Sequence, residues 1–207
     1  METDTQIEDE IARAMLSESP YERLRMRRFS YFKQSIPRKL AWQSGLLVLL
    51  ALVLPIAATL PPAVKASFSG GSVLAASPKI ALLGAFAAVI EIGTAGCLGG
   101  VALRRLRLEP TLTERQARTL LNLEDVASMV GLVTGGFAVL LTNAFFLLGH
   151  GGAATVAAYV DAGGQNPFGS SEVGVSVAGV SIVAAVAAVV VYGGSRYLAG
   201  RLCDLPR

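Results

Sequence analysis

Charge is scarce in this sequence. Asp, Glu, Lys and Arg make up 16% of its 207 residues, against about 25% in an ordinary soluble domain. The charges that exist are clustered, and long stretches carry none. A water-exposed helix needs a polar stripe, so those stretches exclude a conventional soluble helical domain. Cysteine is scarce too. Cys97 and Cys203 are the two present, and neither falls in a loop expected to meet an oxidising compartment, which excludes a disulfide framework. The single histidine, His150, has no metal-ligand spacing around it, so no metal or other cofactor is expected. No GxSxG, HExxH, CxxC or Walker-type glycine loop occurs, so an enzymatic role has no motif to support it.

Apolar residues are what the chain has in quantity, at 53%. Four runs reach the roughly 20 residues that a helix needs to cross a bilayer: 41–60, 80–103, 126–149 and 173–195. They predict an all-α integral membrane protein, a four-transmembrane-helix bundle preceded by an amphipathic, interfacial helical segment. The expected division is a helical leader (1–39), a four-span domain (40–199) and a short tail (200–207). The first run follows a long charged leader, which does not suit a cleavable secretion signal.

Lys and Arg in short loops set topology. Of the eighteen in the chain, all but Lys65 and Lys79 lie in the leader, the middle loop or the tail. Both termini and the middle loop are therefore expected in the cytoplasm of a multi-pass cell-membrane protein. The basic balance serves topology and does not point to nucleic acid.

The leader is expected to form two short helices. Thr5 and Glu8 have capping-box spacing in the first. Ser19, Pro20 and Glu22 suit the start of the second. If that second helix continued to residue 36, Tyr21, Leu24, Phe29, Tyr31, Phe32 and Ile36 would share an arc. With Arg23, Arg25, Arg27, Arg28, Lys33, Arg38 and Lys39 around it, this segment is expected to lie on anionic lipid. Further along, Glu109-Pro110 should end the second span. Thr113 and Gln116 form another capping box, and one helix is expected from Glu114 to Gly149. Residues 153–160 suit a short surface helix or a shallow re-entrant segment.

Glu91 is the residue most in need of explanation, because it lies midway along an apolar span. On a helical wheel Gly84, Ala87, Ala88, Thr94 and Ala95 share its face, while Leu82, Phe86, Val89 and Ile90 lie opposite. Small residues mark helix contacts in membranes, so the wheel turns the carboxyl inward. No Lys, Arg or His shares its depth. A lone carboxyl in low dielectric favours its neutral form, and Thr94, Thr134 and Ser181 are its candidate partners. Gly96 with Gly100, and Gly131 with Gly135, have the spacing of close helix packing, chiefly within the chain's own bundle. The expected role is an accessory or scaffolding subunit that acts by helix packing, with the bilayer, other membrane subunits or its own copies as partners. The alternative is a small proton- or cation-conducting channel or carrier that uses Glu91.

Overall fold

The computed structural model describes residues 19–68 and 72–203. Among them no strand forms, and one isolated antiparallel bridge joins Pro78 to Ser170. Four helical stretches are long and apolar enough to cross a membrane: Ile36–Ala58, Lys79–Leu108, Glu114–His150 and Val177–Cys203. Each expected span lies within or nearly within one of them. The expected helix over the Thr5 capping box lies outside the described residues.

A short helix, α1 (Pro20–Arg27), comes first. Ser19 caps it by accepting from the Glu22 amide, and Pro20 occupies its first turn. The sequence predicted this start but not the end. The chain leaves helical geometry at Arg28, so the predicted aromatic arc never forms. Tyr21 is buried, while Phe29 and Tyr31 are 77% and 85% exposed. The cause is tertiary. Arg28 pairs with Asp125 at 3.5 Å, and Ser30 donates to the same carboxylate at 2.9 Å.

The first span comprises α2 (Ile36–Ala51) and α3 (Val53–Ala58). Its break at Leu52 is set by Pro55, whose ring clashes with the carbonyl four residues back, that of Ala51. A short turn of helix, α4 (Pro62–Lys65), follows. The second span is α5 (Lys79–Leu108), ended as predicted by a 3-10 turn, Glu109–Thr111. The third stretch begins at α6 (Glu114–Met129), where Thr113 and Gln116 close the predicted capping box. It then widens into a π-helical turn, Val130–Gly135, and continues as α7 (Gly136–His150). Residues 153–160 fall in α8 (Gly152–Asp161), which buries no side chain. The last span is α9 (Val177–Cys203).

Helix α9 packs most extensively on α2 and also on α5, while α7 packs on α5 and α2. One end of the bundle carries α1, the 3-10 turn and the end of α9, with most of the Arg and Lys; it is called the basic end below. At the other, the loop end, the first amides of α5 would lack helical acceptors. The 167–169 segment supplies them: Lys79 N–H donates to Gly169 O at 2.9 Å and Ile80 N–H to Pro167 O at 3.0 Å. Phe168 is buried there against Phe146 and Phe68. It fits because Gly149 has no Cβ, which would come within 2.6 Å of the Phe168 ring. The apolar core of this half includes Leu47, Leu50, Val139 and Val177.

Candidate intramembrane carboxyl site

Glu91 sits where the wheel placed it. Gly84, Ala87, Ala88 and Ala95 on its face are buried with it, while Phe86 and Val89 opposite are exposed. The carboxyl has no solvent-exposed surface, and neither of its oxygens has a hydrogen-bond partner among the described residues.

The expected partners are engaged elsewhere. Thr94 donates to the Ile90 carbonyl at 2.7 Å and accepts from Gln43 Nε2 at 2.7 Å. Thr134 is exposed on the π turn and points away from the site. Ser181 is buried on α9 with its hydroxyl unpartnered. Sequence reasoning missed Gln43, whose side chain is fully buried and faces the carboxyl. Its Oε1, like both Glu91 oxygens, has no donor.

The π turn forms the other wall. A Cβ on Gly135 would lie 2.6 Å from Glu91 Oε1 and 2.9 Å from Ile90 Cγ2. A Cβ on Gly131 would lie 2.6 Å from Thr94 Oγ1 and would also collide with Gln43 Nε2. The two glycines thus let polar side chains of α2 and α5 press against the backbone of the third stretch. π bulges concentrate at functional sites. Gly96 and Gly100 behave differently. They are exposed and nothing lies within 4 Å of a Cβ built on either, so they do not pack within the chain's own bundle as expected. Their face of α5 points outward.

A second polar cluster closes the basic end. Lys39, expected at the lipid surface, is fully buried and donates to Glu124 Oε1 at 2.6 Å. Tyr21 donates from its hydroxyl to the other carboxylate oxygen of Glu124. The guanidinium of Arg105 lies 4.2 Å from the Tyr21 ring centroid and bonds Glu22 at 2.7 Å and Glu109 at 3.1 Å. Ser19 donates to Glu109 as well. Burial, reinforced by the neighbouring Glu124 carboxylate, pushes the Tyr21 phenol above the usual tyrosine range. Of the other basic residues assigned to lipid, Arg25 bonds the Lys33 carbonyl at 2.7 Å and Arg28 pairs with Asp125. Arg23, Arg27, Lys33 and Arg38 remain exposed.

The two clusters share helix faces. Along the third stretch Glu124, Ser128, Gly131 and Gly135 share one buried face, and the Ser128 hydroxyl donates to the Glu124 carbonyl at 2.6 Å. Lys39 and Gln43 lie one turn apart on α2 opposite that face. A polar column therefore runs from the Lys39–Glu124 pair, past Ser128, Gln43 and Thr94, to Glu91. It covers about 16 Å at 1.5 Å per residue. Beyond Glu91, Thr142 and Asn143 bond their own helix carbonyls at 2.7 and 3.0 Å, and apolar side chains fill the rest. No group of three or more His, Cys, Asp or Glu suited to a metal ion occurs among the described residues. His150 instead contacts Thr59 at 3.0 Å and the Phe146 carbonyl at 3.1 Å. No family model matches this chain, and neither a curated protein nor a solved structure is significantly similar to it.

Proposed function

We propose that the chain is a small membrane carrier that binds a proton or a monovalent cation at Glu91. The observation that carries this reading is a fully buried carboxyl whose two oxygens lack donors, set against a π turn. Intramembrane acids of this kind are functional candidates. One carboxyl with neutral neighbours balances a single positive charge, which favours a proton or a monovalent ion over a divalent one. The apolar filling toward the loop end supports a carrier over an open pore. The enclosure of Glu91 by its own helices argues against a role for its carboxyl as a contact with another subunit. By the distribution of Lys and Arg, the basic end with both termini faces the cytoplasm of a cell membrane.

Reconstitution into liposomes tests this. The wild type should move protons, Na⁺ or K⁺ down an imposed gradient, and Glu91→Gln should abolish the movement while retaining its helical content and thermal transition. Wild-type liposomes that stay tight, or an active Glu91→Gln variant, would overturn the carrier.

The second reading, an accessory or scaffolding subunit, is favoured by the open face of α5. Gly93, Gly96 and Gly100 lie there with nothing within 4 Å of a built Cβ, a surface suited to a close helix approach. Extraction in a mild detergent should then yield a particle heavier than one chain, and a bare monomer without partners would remove this reading.

A further inference from the structure

The polar column approaches Glu91 from the basic end, and Tyr21 stands over it there. Tyr21 is buried to 1% exposure at the basic end, over the Lys39–Glu124 pair, and is touched from two spanning helices. Arg105 of α5 lies over its ring and Glu124 of α6 accepts a hydrogen bond from its hydroxyl. On the loop side of Glu91, Thr142, Asn143 and Ser181 are buried among apolar side chains, and Phe168, Phe146 and Phe68 pack together beyond them, above a core of Leu47, Leu50 and Val139.

The way α1 is held matters as much as where it sits. It has eight residues and Tyr21 is its one buried side chain, with Leu24 partly buried beside it. The remaining attachment is polar: Glu22 to Arg105, Arg28 and Ser30 to Asp125, and Ser19 to Glu109. An element with little apolar burial opens locally at low cost, and attachments made by part-exposed ions weaken as salt rises. The spans beneath it are held by extensive apolar contact. The attachment of α1 is thus weaker than that of the spans, and its release would uncover the buried ion pair and the polar residues behind it.

We propose that α1 is the gate of the Glu91 site: Tyr21 is a stopper in the basic-end mouth, and release of its polar clasp opens the column to water and to the transported ion. This rests on the carrier reading for what passes through, but the opening itself can be measured without transport. Ser128 lies fully buried one turn behind Glu124. In a background of Cys97→Ser and Cys203→Ser, the substitution Ser128→Cys places a reporter thiol in the column. A water-soluble maleimide should label it slowly when α1 is intact. Tyr21→Ala should raise the labelling rate at least about tenfold, as expected for unmasking a protected position. The surface pair Glu22→Gln with Arg28→Gln should raise it as well, since it loosens the clasp without touching the bundle core. Salt at 1 M, where the Debye length falls to about 3 Å, should act in the same direction on the intact chain.

The same variants in liposomes should carry ions faster than the wild type. Labelling that is already fast with α1 intact, or that none of these changes accelerates, would overturn the gate whatever the flux. Accelerated labelling with no flux in any variant would leave a hinged α1 and overturn both the carrier and its gating. Accelerated labelling with flux unchanged would leave the carrier and overturn α1 as its gate.

Discussion

The two glycine pairs share a sequence pattern and differ in every physical respect. At Gly135 the missing Cβ is occupied space: Glu91 and Ile90 come within 3 Å of where it would be. Both neighbours are on α5, and the carboxyl is enclosed on all sides, so it has little room to retreat. Gly135→Ala is an overpacking change, which costs about 1–3 kcal/mol in a closely packed interior. Gly96→Ala meets nothing within 4 Å, and the helix preference of Ala over Gly makes it stabilising by about 0.4–1 kcal/mol. Thermal unfolding in one detergent should therefore separate the two variants clearly. Equal transition temperatures would mean that the π turn does not press on Glu91. The sequence contained half of this contrast. Periodicity could turn Glu91 inward, because large and small residues segregate along a single helix. It could not tell which glycine pair faces the bundle, since Gly131 and Gly135 meet Gln43 and Glu91 across gaps of forty residues or more in the chain.

At the scale of the element, local signals succeeded and long-range ones were invisible. The Thr113–Gln116 box, the stop at Glu109-Pro110 and the start of α1 at Ser19 depend on neighbours three or four residues away, and all three form. The end of α1 depends on Asp125, and the burial of Lys39 depends on Glu124, 85 residues distant. A lysine beside a span suits lipid as well as a buried partner, so sequence alone assigned it to lipid. Glu124 lies just ahead of the apolar run at 126–149, so nothing in the pattern marks it as buried. The docking of α1 has its own pH signature through Tyr21. Its phenol is raised above the free value of about 10, so the docked state holds the proton more firmly than the released state. Below pH 10 both states are protonated and the docking contribution is complete. Above it the released form ionises first, and stability falls by up to about 1.4 kcal/mol per pH unit. Wild-type thermal stability should therefore drop more steeply than that of Tyr21→Phe as pH rises above about 10. Parallel curves would show that the phenol is not buried against Glu124.

For the whole molecule, orientation decides what the site can do. Four apolar helices fix two ends, and those ends differ in charge: among the described residues, Lys65 and Lys79 are the Lys and Arg that belong to the loop end. The positive-inside bias predicts that the basic end is cytoplasmic. The polar column begins at that end, so Glu91 would load from the cytoplasm in the conformation described, and an outward step would require the packing around Phe168 to open. Single reporter cysteines test the orientation in intact cells, again in a background of Cys97→Ser and Cys203→Ser. Thr111→Cys lies exposed in the turn after α5, and Ala162→Cys lies exposed just after α8. A maleimide that cannot cross the membrane should label Ala162→Cys in whole cells and reach Thr111→Cys only after permeabilisation. The reverse pattern would invert the charge argument and with it the direction of loading: Tyr21 would then stand between Glu91 and the exterior, and α1 would respond to conditions outside the cell.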